Sequence, residues 1–242
     1  MSSGKYGAVA GMVSRMDMME NITAHLAAAK TFSYKKGVST FEARLSEANS
    51  GMATKGINYV RKTKETIDFT PGEIEYSGNP LHVAINGEGF FKVLHPDDSV
   101  AYTRKGAFRM TPDGFLVDAF GMKVVNVENE PIIIPDPNVI ISPAGNINYQ
   151  GTLIGQIGVF KFEDNSVLKR AAGSAFVPTD DSNPTLFAEP EVIQNNLETS
   201  NVDMMKTTVQ MTSNLRAFEA MQKALRIYSD MGSKAADIGL IQ

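Results

Sequence analysis

The strongest constraint in this sequence lies near its C-terminal end. Met204, Met211, Phe218 and Leu225 recur every seven residues, and Thr208, Leu215 and Gln222 fill the intermediate positions. A seven-residue repeat of this kind predicts a helix with one apolar seam, here a coiled-coil seam with two polar substitutions. Ser200-Asn-Val-Asp203 reads as a capping box. Tyr228 and Met231 extend the apolar side, and Gly232-Ser233 predicts the end of the helix, roughly 45 Å from its start at 1.5 Å per residue. Residues 4–31 repeat the theme. Val9, Met12, Val13, Met16, Met19, Thr23 and Leu26 fall at steps of three and four, with Arg15, Asp17 and Glu20 largely on the other sides. Such helices are marginal alone, because their stability comes from burying the stripe. About eight side chains per helix, at roughly 1.5–3 kcal/mol each, must be covered by something. Either the two helices pair within the chain, or they pair with copies of it or with other chains. The ordinary alternative is a two-helix core packed on the sheet of a monomer.

Between the helices the period changes. Gly and Pro punctuate short apolar runs at Leu81–Ile85, Phe90–Leu94, Phe115–Asp118, Val124–Val127, Ile132–Ile134, Val139–Ile141 and Ile157–Phe162. Pro112-Asp113-Gly114 is a turn sequence, and Asn86-Gly87 is a hairpin signal. Many short strands of this kind predict an antiparallel β domain. The fold class expected is α+β: long N- and C-terminal helices pairing as a coiled coil, with a central all-β antiparallel domain. The expected segments are an N-terminal helix over 1–34, a mixed connector over 35–69, the β domain over 70–195 and a C-terminal helix over 196–242. Within the connector, Phe41–Leu45 could be helical and Gly51–Gly56 looks like a linker.

Composition narrows the chemistry. With no Cys, the chain has no disulfide, thiolate nucleophile or thiolate metal site. Three His (His25, His82, His95) leave little for zinc or a triad. The net charge of −4 is too mild for a nucleic-acid binder. The charge is uneven: residues 1–68 carry ten Lys/Arg and six Asp/Glu, residues 69–199 eight and seventeen, and residues 200–242 five and four. An acidic middle between near-neutral or basic ends suggests that they face different surroundings. No apolar stretch reaches the roughly 18 residues of a membrane span. Arg15, Asp17 and Glu20 interrupt any apolar signal core, so an exported chain would travel without a cleaved signal. The 13 Met suit interfaces that adapt to several neighbours.

No motif carries catalysis. Gly87-Glu-Gly89 is followed by Phe90-Phe91 rather than by a helix opening, so it reads as a turn. Asp97-Asp98 and Asp180-Asp181 lack calcium-loop spacing. His25 has no ligand partner at helical spacing and reads as a packed or interfacial histidine. No Gly-x-Ser-x-Gly elbow supports a triad. Lys35-Lys36 and Arg61-Lys62-Thr-Lys64 are basic clusters, open to two readings: contact with the acidic β domain of a neighbouring subunit, or plain solvated charge. Phe90 and Phe91 are adjacent, so one should enter the core while the other faces a neighbour or a second sheet.

The run Ser77-Gly-Asn-Pro-Leu-His-Val-Ala-Ile-Asn-Gly-Glu-Gly-Phe-Phe-Lys-Val93 resembles the signature of bacterial flagellar rod and hook proteins. So does Tyr102-Thr-Arg-Lys-Gly-Ala-Phe-Arg-Met-Thr-Pro-Asp-Gly-Phe-Leu-Val117. Leu197-Glu-Thr-Ser-Asn-Val202 and Leu215-Arg-Ala-Phe-Glu219 are similar to the family's closing motif. Ile22–Ala27 and Tyr34–Lys36 match its N-terminal element more loosely: Ala28 stands where the family usually has Asn, and Ser33 where it has Gly. The residues carrying the central and closing motifs are Gly78, Asn79, Pro80, Ala84, Ile85, Gly87, Gly89, Phe90, Phe91, Ser200, Asn201 and Val202.

The resemblance implies a structural subunit, not an enzyme, with no cofactor and no metal. It implies assembly into a hollow axial tube that crosses the periplasm and transmits torque from motor to hook. Partners would be copies of the chain, other axial proteins and the flagellar type III export apparatus, with neither nucleic acid nor direct membrane insertion. The assembly interface would then lie on Val9, Met12, Val13, Met16, Met19, Leu26, Met204, Met211, Leu215, Phe218, Leu225 and Tyr228. Two complementary, non-identical patches make an open helical polymer rather than a closed dimer. The compact length is most similar to a proximal-rod member, with distal rod and hook proteins as alternatives. A reading from another class is a monomeric β-domain binding or chaperone module.

Overall fold

Glycine, proline and β-branched residues break most of this chain into short strands, leaving its two ends helical. The computed structural model describes residues 2–45, 58–97, 99–171, 174–179 and 184–239. In order these form α1 (Ser2–Ala28), β1 (Gly37–Leu45), β2 (Asn58–Ile67), β3 (Ile74–Tyr76), β4 (Val83–Ile85), β5 (Phe90–Leu94) and β6 (Val100–Thr103). Then follow β7 (Arg109–Met110), β8 (Leu116–Val117), β9 (Lys123–Val124), β10 (Ile140–Ile141), β11 (Asn146–Tyr149), β12 (Thr152–Gln156) and β13 (Val159–Lys161). The last elements are β14 (Leu168–Arg170), β15 (Phe176–Pro178), β16 (Thr185–Leu186), β17 (Val192–Gln194), β18 (Asn196–Glu198) and α2 (Met204–Gly239). The chain divides into two units, one of Met1–Ala27, Gly37–Thr66 and Asp203–Gln242, the other of Ala28–Lys36 and Ile67–Val202.

The second unit is the β unit. Its main sheet runs β14-β15-β6-β5-β9-β8-β7, with β13 joining β5 to β16. β10-β11-β12 form a three-stranded sheet, while β17 pairs with β4 and β18 with β3. Those pairings are antiparallel. Phe90 and Phe91 divide the interior, as adjacent strand residues must. Phe91 packs edge-on to Phe108 in a cluster with Val83, Ile85, Ile147 and Ile157. Phe90 joins Phe69, Phe162 and Phe176 in an aromatic cluster with edge-to-face rings. Both rings are therefore buried within one chain, on opposite faces of β5.

Several expectations need correction. The expected coiled-coil seam is not found among the described residues. Val9, Val13 and Met16 are 48%, 53% and 59% exposed, and Met204, Leu215 and Tyr228 are also exposed. The less exposed face of α2 instead carries Thr207, Met211, Asn214, Phe218, Met221 and Leu225. Relative to the predicted seam, this face takes the residue before Thr208, Leu215 and Gln222. α2 begins at Met204, with Asp203 Oδ1 accepting from the Lys206 amide at 2.9 Å, so Asp203 rather than Ser200 caps it. It runs past Gly232-Ser233 to Gly239. Phe41–Leu45 is strand, part of β1 paired to β2; Val38, Thr40 and Phe41 suit a pleated strand. Asn86-Gly87 does not close a hairpin, since β4 pairs with β17, not β5. Ile132–Ile134 contributes one isolated bridge, Ile133 to Phe115, rather than a strand. The Gly51–Gly56 linker expectation lies outside the described residues.

Candidate functional site

The motif residues converge on a buried ion cluster. Glu198 ends β18 beside the apolar Leu197, and its side chain is 1% exposed. Its Oε1 accepts from Lys35 Nζ at 2.5 Å and from the Gly72 amide at 2.9 Å. Its Oε2 accepts from Arg104 Nε at 2.9 Å. Arg104 Nη1 donates to the Gly89 carbonyl at 2.7 Å, and Nη2 to that of Ile85 at 3.3 Å. Arg104 thus binds carbonyls on both sides of the Asn86–Glu88 loop. Lys35 is fully buried and also donates to the Thr70 carbonyl at 2.8 Å. Burial holds its ammonium pKa below the ordinary value, opposed by the charge and hydrogen bond of Glu198. Two cations against one carboxylate need further acceptors, which the Thr70, Gly89 and Ile85 carbonyls supply.

Asn201 extends the junction. Its Oδ1 accepts from the Lys36 amide at 2.8 Å, and its Nδ2 donates to the Asp68 carbonyl at 2.8 Å. The Ser200 hydroxyl accepts from the Val202 amide at 3.2 Å. Asn79 Oδ1 accepts from the Leu81 amide, and the Pro80 carbonyl accepts from Gln194 Nε2. Gly78, Gly87 and Gly89 have positive φ. At Gly89 a Cβ would also lie 2.6 Å from Val159 Cγ1. Ala84, Ile85, Phe90, Phe91 and Val202 are buried. The motif is therefore a packing device that ties residues near both ends of the β unit to its centre.

The basic cluster Lys35-Lys36 is spent inside the chain. Lys35 lies in the ion cluster, and Lys36 Nζ pairs with Asp68 at 3.1 Å. The side chains of Arg61, Lys62 and Lys64 lie outside the described residues, as do Asp98, Asp180 and Asp181. Asp97 Oδ1 accepts from the Ser99 hydroxyl and amide and contacts His95, in an exposed turn. His25 Nε2 accepts from the Gly37 amide at 3.2 Å. Among the described residues no cluster of His, Asp and Glu could hold a metal ion. Lys35, Arg104 and Glu198 form the site that sequence reasoning missed. All three lie inside the quoted motifs, Lys35 in Tyr34–Lys36, Arg104 in Tyr102–Val117 and Glu198 in Leu197–Val202, but no spacing within any one motif pairs them.

In the other unit, Met12, Met19, Leu26, Met211, Phe218 and Leu225 are half-buried. Val9, Val13, Met16, Met204, Leu215 and Tyr228 stand out toward solvent, together with Met205 and Val209.

The family description "flagellar hook protein FlgE/F/G D1 domain" matches residues 84–162, and "flagellar basal body rod FlgEFG protein C-terminal" matches residues 193–238. The FlgG rod protein of Buchnera aphidicola from Acyrthosiphon pisum is 28% identical over 250 residues, covering 94% of this chain and 96% of its own length. The chain belongs to the flagellar basal-body rod protein family. The FlgG protein of Agrobacterium fabrum is 28% identical over 251 residues, with 93% and 95% covered. The FlgF protein of Caulobacter vibrioides is 26% identical over 225 residues, with 90% of each chain covered. The two matched regions of this rod-family chain contain the Arg104 and Glu198 sides of the ion cluster respectively.

Proposed function

We infer that this chain is a structural subunit of the flagellar basal-body rod, and that it assembles with copies of itself and other axial proteins through the apolar residues its helices leave exposed. The carrying observation is Val9, Val13 and Met16 on α1, spaced four and three residues apart and all about half exposed or more. A solvent-facing apolar stripe on a helix is covered by association or not at all. On α2, Met204, Met205 and Val209 offer further unmatched apolar surface. The ion cluster supports the same role from the β unit, by making that unit a stiff block able to bear load between subunits. Assembly into a hollow tube, transmission of torque, contact with the export apparatus and passage out of the cell without a cleaved signal belong to this reading.

The test replaces Val13 and Met16 with Asp in cells whose native copy is deleted. Rods should be absent from isolated basal bodies and swimming in soft agar abolished, while the purified variant keeps the circular dichroism of the β unit. Normal motility in the double variant overturns the reading.

A further inference from the structure

Asn86-Gly87 is the one Asn-Gly pair in the chain. It lies in the exposed loop between β4 and β5. The ion cluster uses carbonyls on both sides of this loop but not the Asn86 side chain. An asparagine before a glycine carries its own route to hydrolysis. The backbone nitrogen of the glycine can reach the side-chain carbonyl carbon of the asparagine, because no side chain on the glycine crowds the approach. At Gly87 an added Cβ would meet nothing within 4 Å, so solvent has open access to the attacking nitrogen.

The Asn86 side chain faces a carboxylate. Its Nδ2 donates to Glu191 Oε2 at 2.8 Å, and the Asn86 backbone amide donates to the Glu191 carbonyl at 2.8 Å. Beside them Ile85 pairs with Val192, the last rung between β4 and β17. Residue 191 therefore holds residue 86 at two points. The side-chain contact opposes the reaction in two ways. Donation to an anion returns electron density to the amide, making its carbon a poorer target and its nitrogen a poorer leaving group. Ring closure also builds negative charge on Asn86 Oδ1, beside a carboxylate that is already negative.

We propose that Asn86 is a self-modification site, converted to aspartate and isoaspartate at a rate restrained by Glu191. The step needs only water. Gly87 N bonds to Asn86 Cγ, the Cγ–Nδ2 bond breaks, and the Gly87 N–H proton passes through solvent to the departing ammonia. Water then opens the resulting succinimide ring. Opening at Cγ leaves aspartate; opening at the backbone carbonyl leaves isoaspartate, with the main chain routed through Cβ. Either product turns the hydrogen bond to Glu191 into a like-charge contact across the strand pair, which is destabilising. Isoaspartate also adds a main-chain carbon between the Ile85 and Gly89 carbonyls that Arg104 holds. The modification therefore loosens the β unit at the end of β4, independently of the assembly reading above.

The full chain is incubated in mildly alkaline buffer, folded or in urea, and the peptide carrying residue 86 is followed by mass spectrometry, with isoaspartate read by electron-transfer fragmentation. Conversion in the folded parent should run about tenfold slower than in urea, the slowing expected when a hydrogen bond to a charged group must open first. Glu191→Ala should raise the folded rate about tenfold, with circular dichroism unchanged. Glu191→Gln, which keeps a neutral acceptor, should fall between. Gly87→Ala should slow conversion even in urea. Residue 86 still intact in folded Glu191→Ala, once the unfolded chain has fully converted, overturns the site. Equal folded rates in the parent, Glu191→Ala and Glu191→Gln overturn the restraint. Asn86→Asp should lower the urea midpoint, and adding Glu191→Gln should restore part of it; an unshifted midpoint in Asn86→Asp overturns the loosening.

Discussion

Removing the carboxylate of Glu198 should be the most damaging single change in the β unit. Glu198→Ala strands the Lys35 ammonium and the Arg104 guanidinium, which are 0% and 4% exposed, and leaves the Gly72 amide without its acceptor. Breaking a buried ion pair from one side costs about 3–5 kcal/mol, because the orphaned charge stays desolvated. For a unit of this size each kcal/mol moves Tm by about 2–4 °C, so the midpoint should fall by roughly 6–20 °C. With no Trp in the chain, near-ultraviolet circular dichroism of Tyr102 and the Phe cluster follows the transition. Glu75→Ala, at an exposed position of β3, is the control and should stay within about 0.5 kcal/mol of the parent. Lys35→Met added to Glu198→Ala should show a coupling of about 0.5–3 kcal/mol in a double-mutant cycle. One molar salt should not rescue Glu198→Ala, since screening acts on exposed charges. A Glu198→Ala loss no larger than that of Glu75→Ala, or no coupling to Lys35, would refute the account of the junction.

Two further changes test local arguments. The Asp97 carboxyl is held down to about 2 by hydrogen bonds from the Ser99 hydroxyl and amide. Its folded value lies below the unfolded one, so its contribution to stability is present above about 3.8 and is lost as pH falls through about 2. Ser99→Ala should move its carboxyl carbon titration, read by NMR, back toward 3.8; an unmoved midpoint counts against the assigned cause. At Gly89 a side chain meets both positive φ and Val159, whereas at Gly87 it meets positive φ and open space. Gly89→Ala should therefore lower the urea midpoint by about 1–3 kcal/mol equivalent, and Gly87→Ala by less; the reverse order would be decisive against the clash.

Much of the architecture was readable from periodicity. Helical ends, a β middle and β5 at Phe90–Leu94 follow from spacing that alternates or repeats as the two backbones require. The phase of α2 was not readable. Leu215 is the better apolar candidate by sequence, yet Asn214 lies inward on the face of Met211, Phe218 and Leu225, where its amide meets the Arg15 carbonyl and guanidinium. The cap was misplaced for a similar reason: both Ser200 and Asp203 can cap, and the backbone course of Asn201, bound to Lys36 and Asp68, decides which does. Lys35 looked like solvated or intermolecular charge because its counter-ion, Glu198, is 163 positions away. No local pattern reports such a pairing, and the flagellar-type motif carried Glu198 without marking it as an ion partner.

That separation also sets an order of events. A polypeptide emerging N-terminus first exposes Lys35 early and Arg104 midway, yet the acid that neutralises them arrives only with the closing residues of the β unit. Until then the interior holds two cations with no answering charge, and compaction is opposed. The long loop adds its own closure entropy, and contacts this distant in sequence form slowly. In the β unit, therefore, the ion cluster is completed only when its last strand delivers Glu198.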